Sequence, residues 1–460
     1  MTLIGRLRGR SGKVGYGAGA LGESLTFAMI GTYLTYFYVD EVHLDPALVG
    51  LGFMLSYGIW NSINDVIAGY VSDRTRTRWG RRIPYILFCT LPMMITFILI
   101  WTPPIGGAPL SEPMNMWIFL YFLIIVCVFE LMYTFVDVAW NALFPEMYEE
   151  LTERSEVIIY RQVFAIMGTV LTFVAAPPLI DSFTKRFGTF KGWTLVGITV
   201  SLIAGGAFLL SLLGSRERKE FSTKGTLPVK EAFKVTFSNK SFLTAAFLIL
   251  TTSWVWSLLE ALTPFIIVYM CGGTVADIAL VGAPSLFLGI LFYPMWRKLC
   301  IRYGAKKMLT LATVLAVSNL VLFILLADSV LKAIILMGSF GAINGGVQIA
   351  RELLIPDVID EDEVKTGFRR EGIYYGARTF VDRFALSLTG ASTAFIFTLA
   401  GFVPGVPQPP EVIFKMRLAN VLVLLIALSA FLISAKYYPL DAIRVAEIRA
   451  KLKELHRRAE

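Results

Sequence analysis

Twelve runs of mostly apolar residues, each about as long as a bilayer's hydrocarbon core is thick, divide this 460-residue chain. Their approximate spans are 18–40, 47–72, 83–103, 115–145, 157–180, 193–214, 242–271, 275–297, 307–328, 331–355, 373–402 and 412–438. Inside lipid, every backbone N–H and C=O must be satisfied within the segment, so each run reads as a helix. An outer-membrane barrel would show short alternating segments instead. Composition agrees: 56% of residues are hydrophobic, 17% are charged, and the mean hydropathy is +0.66, against about 25% charged residues in soluble domains. That balance excludes a soluble enzyme, a disordered chain and a disulfide scaffold. The expected fold class is all-α integral membrane, twelve helices in two pseudo-symmetric six-helix bundles.

Charge orients the chain. With both termini on the cytoplasmic side, the inner segments carry 33 Lys and Arg, the outer loops carry 6, and 3 remain inside helices. That bias matches the positive-inside rule and favours an even number of crossings. The start, MTLIGRLRGRSGK, is basic but lacks an apolar core before a cleavage site, so it reads as a cytoplasmic leader. The expected organisation is an N-terminal bundle over 1–214, a cytoplasmic central loop over 215–241, a C-terminal bundle over 242–438 and a basic tail over 439–460. The tail reads as an amphipathic helix, lying on the inner membrane surface or solvated.

Two internal echoes point to homologous halves. DRTRTRWGRR at 73–82 pairs with RKLCIRYGAKK at 297–307, matching Arg74 with Lys298, Arg78 with Arg302, Trp79 with Tyr303, Gly80 with Gly304 and Arg82 with Lys306. Phe144-Pro145-Glu146-Met147 pairs with Ile355-Pro356-Asp357-Val358.

Ionisable residues inside spans are costly and mark function. Here they are Glu23, Asp65, Glu130, Asp137, Arg161, Glu260, Arg378, Asp382 and Arg383, accompanied by Asn61, Asn64, Asn141, Asn344 and Gln348. Asn61 and Asp65 share a helix face, as do Asp137 and Asn141. A carboxylate with side-chain carbonyls suits a small hard cation or a proton; a static hydrogen-bond cluster, with Asp137 paired to Arg161, is the bland alternative. Arg378 and Asp382 stand one turn apart, and an arginine here suits a polyol or an anion. Gly69 and Asp73 followed by five arginines read as a hinge whose salt bridges break and reform, with Asp73, Arg74, Arg78 and Arg82 as gating residues. Cys89, Cys127, Cys271 and Cys300 form no CxxC pair and read as packed thiols. With His43 in a loop and His456 in the tail, no metal site is expected, sodium at Asp65 excepted. No Walker A, GxSxG, HExxH or haem motif occurs, so neither an enzyme nor an ATP-driven pump is expected, and no cofactor is called for.

The stretch Gly69-x-x-x-Asp73-Arg74 through Gly80-Arg81-Arg82 resembles the loop signature of the major facilitator superfamily. Tyr16-Gly-x-Gly, Ile63-Asn64-Asp65, Arg76-Thr-Arg78-Trp79-Gly80-Arg81-Arg82, Asp137 in TFVDVAWNALFPEM, Tyr160-Arg161, and Pro356-Asp357-x-x-Asp360 through Arg369-Arg370-Glu371-Gly372 resemble the glycoside–pentoside–hexuronide:cation symporters. The resemblance runs from residue 13 to about 400. It implies the major facilitator fold and secondary active transport by alternating access. It also implies a cation-binding pair on the second helix; one acid matches Asp65, but the other is replaced by Asn61, which favours a proton over sodium. Asp137 serves both cation and substrate in this reading. Arg161 and Arg383 match family positions for substrate, and Thr379 is kept. Glu23 lies one place from the family's acid on the first helix, Arg378 replaces a glutamine, and the sugar-stacking aromatic falls on Asn141 with Trp140 beside it. Gln348 completes the expected substrate set. The expected function is proton-coupled symport of a sugar, glycoside or sugar acid across the cell inner membrane, with a monomer in the bilayer and no nucleic-acid partner. The alternatives are a transporter of lysolipid or other amphipathic cargo, sodium-coupled or uncoupled, and a non-transporting sensor or scaffold.

Overall fold

The fold is described from a computed structural model that covers residues 7–104, 112–148, 151–217, 238–366 and 371–459. Among the described residues every regular element of length is helical: α1 (9–41), α2 (46–74), α3 (Ile83–Ile100), α4 (Glu112–Met147), α5 (151–187), α6 (Thr189–Gly214), α7 (Lys240–Met270), α8 (Asp277–Tyr303), α9 (Ala305–Leu326), α10 (Val330–Glu352), α11 (Leu354–Thr366), α12 (Glu371–Ala400), α13 (Pro410–Tyr437) and α14 (Ala442–Ala459). Ten of these runs are long and apolar enough to cross a membrane, among the described residues. The other two expected crossings, α1 and α2, are helical over sufficient length. Glycines and residues such as Asn61, Asn64 and Asp65 dilute their apolar character. The central loop at 218–237 lies outside the described residues.

Packing repeats between the halves. α1 packs on α5 and α6 as α7 packs on α12 and α13; α4 packs on α2 and α3 as α10 packs on α8 and α9; α3 meets α6 as α9 meets α13. The halves touch the same way in both directions, α2 against α12 and α5 against α8, with α1 meeting α7. The echo in the loops is structural too. Gly80 and Gly304 both adopt positive φ, +110° and +86°, a backbone state open to glycine. Each faces the segment that leaves its half: a Cβ on Gly80 would strike the Glu217 carboxylate, and one on Gly304 would lie 2.7 Å from the Ala442 Cβ. Glu217 accepts the backbone N–H groups of Arg81 at 2.8 Å and Arg82 at 3.1 Å. It thereby satisfies donors at the start of α3, where an anion also complements the helix dipole.

The halves meet through elements at the end remote from the termini. Their inter-half packing is made by 30–34, 46–60 and 171–187 of the N-terminal half. Three of those contacts fall on π-helical turns, Ile30–Leu34, Met54–Trp60 and Leu171–Ala175, a geometry common at functional positions. Close approach needs small residues: a Cβ on Gly50 would sit 2.6 Å from the Gly390 carbonyl and 2.5 Å from the Ala394 Cβ. Asp40 adds a polar latch, accepting from the Tyr269 hydroxyl and from the Gly405 N–H at 3.1 Å. The remote end is therefore closed. At the terminus-bearing end, Tyr375 and Thr379 of α12 are exposed, and nothing lies within 4 Å of a Cβ built on Gly376.

The tail packs against the protein. α14 docks on α11, burying Ile448 and Leu452, and Arg449 Nη2 lies 3.0 Å from Asp357 Oδ1. An amphipathic basic helix fits an acidic protein surface as well as a membrane. Here the surface is α11, which carries buried Asp357, Glu361, Asp362 and Glu363.

Two glycines with matched backbones isolate the energetics of that docking. Gly188, φ +84°, has open space where Gly304 has Ala442. Replacing Gly188 with alanine should cost only the backbone strain, about 1–3 kcal/mol. The Gly304→Ala change should lower the thermal midpoint further, and deleting residues 441–460 should erase the difference between the two variants.

Candidate functional site

Ion pairs between the membrane-spanning helices are built from short helical spacings. On α2, Asn61 and Asp65 are one turn apart; on α4, Asp137 and Asn141 repeat that spacing. Both pairs face α12, whose Arg383 reaches across the inter-half gap. Its Nη1 donates to Asp65 Oδ1 and, at 2.7 Å, to Asn61 Oδ1; its Nη2 lies 3.7 Å from Asp137 Oδ2. Asp137 is 8% exposed and Asn61 2%. A guanidinium so enclosed is tolerable only when paired and hydrogen-bonded. Two carboxylates thus share one cation, with a fixed amide oxygen between them. This is the set that sequence spacing singled out, and its partner across the gap is what spacing leaves open.

Arg161 on α5 extends the cluster within the N-terminal half. Its Nη2 donates to Asn141 Oδ1 at 2.6 Å, and Asn141 Nδ2 donates to Asp137 Oδ1 at 2.9 Å. Asn141 therefore relays Arg161 to Asp137; the direct Asp137–Arg161 pairing considered from sequence is replaced by this bridge. Glu23 Oε2 stands 3.8 Å from Arg161 Nη2. Trp140 is fully buried, its indole N–H donating to the Tyr16 carbonyl at 3.2 Å. The Arg161 guanidinium lies over its ring at 4.3 Å, a cation–π contact that holds the arginine in place. In this conformation the exposed aromatic face expected for a ligand is occupied by Arg161.

A second charged group sits in the C-terminal half. Arg351 on α10 pairs with Asp382 on α12, which also accepts from Ser253 on α7 at 2.6 Å. Arg378 Nε lies 3.6 Å from Asp382 Oδ2, as their spacing suggests, while its Nη1 donates to Glu352 Oε2 at 2.9 Å. Arg351 Nε is buried without a partner. Gln348 is half-buried one turn before Arg351, and Thr379 bonds its own helix at the Tyr375 carbonyl, 3.1 Å away. Arg351, Glu352 and Ser253 are not among the residues that the sequence singles out. The apolar run 331–355 extends past Arg351, and that was the available signal.

Of the expected gating residues, the side chains of Asp73 and Arg74 lie outside the described residues. Arg78 stacks on the neighbouring Trp79 at 4.3 Å, and Arg82 donates to the Ala142 carbonyl of α4. Among the described residues no cluster of three His, Cys, Asp or Glu suits a metal ion.

Chemically, these groups can exchange partners: a proton or cation arriving at Asp65 or Asp137 competes directly with Arg383. Comparison with known proteins gives this geometry its setting. The family of MFS/sugar transport proteins matches residues 15–442. The chain is 27% identical to an uncharacterized symporter, sll1374, of Synechocystis, over 96% of each chain. It is 23% identical to the isoprimeverose transporter of Lactiplantibacillus pentosus, covering 94% of this chain and 89% of that one. It is 24% identical to sodium-dependent lysophosphatidylcholine symporter 1-A of Danio rerio, covering 94% and 86%. Its fold is similar to the solved D-xylose–proton symporter, with a TM-score of 0.65 at 14% identity, covering 91% and 96%. The chain is a multi-pass membrane transporter and belongs to the MFS/sugar transport protein family.

Proposed function

We propose that this protein is a proton-coupled symporter of a sugar, glycoside or sugar acid. It lies in the cell inner membrane with both termini cytoplasmic, and each six-helix half rocks against the other around a central site. The observation that carries this reading is the single guanidinium, Arg383, shared across the halves by Asp65 and Asp137. Support also comes from the isoprimeverose relative and from the Lys and Arg bias toward the terminus-bearing end. With that end cytoplasmic, the closed remote end faces outward, and the conformation is inward-facing.

The cycle follows from charge balance. Empty, the carboxylates hold Arg383 and the halves stay linked through it. A proton on Asp65 removes one partner, and substrate hydroxyls at Asp137, Asn141 and Arg161 replace contacts at the other. Glu23 supports Arg161, and Asn61 keeps an oxygen toward Asp65. Only a ligand that binds the two conformations unequally shifts their balance, so the groups that span the gap are those able to couple cargo to cation. Arg378, with Gln348 and Thr379 nearby, favours a carboxylate-bearing sugar. Asp73, Arg74, Arg78 and Arg82 would brace the cytoplasmic ends in the outward-facing state.

The test is solute-evoked current in proteoliposomes across a panel of sugars and sugar acids, at two pH values, with and without sodium. The reading expects a current that follows pH, ignores sodium and vanishes in Asp65→Asn. A sodium requirement would overturn proton coupling. Silence with every sugar, together with uptake of a lysophospholipid, would overturn the cargo class. Asp137→Asn should cut initial uptake rates by at least about a hundredfold, because breaking a buried pair costs about 3–5 kcal/mol. Arg378→Gln should reduce hexuronide uptake about tenfold more than hexose uptake, since a hydrogen bond to a charged group contributes about 1.5–3 kcal/mol.

A further inference from the structure

Two carboxylic acids inside the spans make no direct ion pair with Arg383 or Arg351, although Arg383 and Asp65 are near charges for Glu130. Glu130 on α4 is 4% exposed and Glu260 on α7 is 6% exposed; neither has an ion-pair partner within 4 Å among the described residues. Both adjoin Gly31, on the π-helical turn of α1. Glu260 Oε2, buried with no hydrogen-bond partner, lies 3.0 Å from where a Gly31 Cβ would stand. Glu130 and Gly31 line a cavity of about 10 Å³ with Thr26, Tyr57 and Tyr133, close to the least that holds one water. The Tyr57 hydroxyl, on a residue only 3% exposed, borders that cavity beside Glu130. One turn along α4 from Glu130, Thr134 donates to Asn64 at 3.3 Å, next to Asp65.

We infer that Glu130 and Glu260 form a second proton-binding site, at the α1–α7 contact that closes the remote end. An isolated carboxylate in a low-dielectric interior is costly, whereas a carboxylic acid is tolerated. The closed contact therefore admits Glu260 only in its neutral form. The neighbouring charges do not compensate it. On α7, Glu260 stands about 10 Å along the axis from Ser253, where Asp382 and Arg351 gather, and about 13 Å from Tyr269, where Asp40 binds. Glu352 belongs with the Arg351 group, and the acids of α11 lie beyond it toward the termini. Arg417 of α13 is held by the Leu325 and Ala327 carbonyls. Glu23 lies about two turns of α1 from Gly31, and the side chains adjacent on α1 are Tyr33 and Tyr36. The cargo is a proton, since one water's space and two carboxyls give no oxygen cage for a metal. In the symport cycle proposed above, on which this inference rests for its role, opening the remote end exposes Glu260 to the outside and lets it ionise. Closure requires the proton back.

Infrared difference spectroscopy of the purified full-length protein, titrated from pH 5 to 9 without substrate, reads this site directly. Two buried carboxylic acids should hold their carbonyl absorption at neutral pH, one lost in Glu130→Gln and the other in Glu260→Gln. Glu260→Asp, which keeps a carboxyl, should shift its band without removing it. Identical spectra for wild type and both glutamine variants would overturn the inference, whatever the outcome for sugar currents. In the currents, Glu260→Gln should flatten the dependence on external pH while Asp65→Asn abolishes the current; an unchanged pH profile would remove Glu260 from the cycle.

Discussion

One guanidinium organises this molecule. Arg383 lies between halves that otherwise touch mainly through apolar and glycine surfaces, and it is shared by Asp65, Asn61 and Asp137. In a medium of low dielectric, its charge cannot be left without a partner. That makes the link strong while both acids are ionised and weak once one is neutralised. Around it the second layer is fixed: Asn141 joins Asp137 to Arg161, and the Trp140 face holds Arg161. In the proposed cycle the cluster acts as a switch with a small number of discrete partners, which is what a two-state transporter needs.

The scaffold concentrates the contacts that must break. Inter-half packing lies at the end away from the termini, on π-turns and small residues that let backbones approach, as at Gly50 and Gly390. Such surfaces separate without exposing unpaired backbone groups. The other end is braced within each half: Glu217 caps α3, and α14 docks on α11 through Arg449 and Asp357. Each brace enters beside a positive-φ glycine, Gly80 or Gly304, so the two halves stiffen by the same device.

The sequence displays the crossings because lipid leaves the backbone no other option, and every expected run coincides with a helix. The intramembrane charges stand out because they are rare there. Their partners do not, since the face one helix turns to another is a tertiary fact. Arg383 was visible, but not that it would bridge Asp65 and Asp137. Trp140 could not be read as a floor for Arg161, because one position on a helix separates an exposed face from a buried one. Arg351 was missed at the end of an apolar run, where anchoring and function look alike. The docking of the tail on α11 was not visible because amphipathicity describes one face of a helix and leaves open what covers it.

The central claim is that Arg383 holds the closed remote end through its two acids. The most direct measurement is the distance distribution between spin labels at Lys191 and Glu411. Both are exposed at that end, one on each half, and the four native cysteines would be replaced for labelling. Neutralising Arg383 as Arg383→Gln should move the population toward longer distances without any substrate. A distribution unchanged from wild type would contradict the account, because the halves would then be held by packing alone.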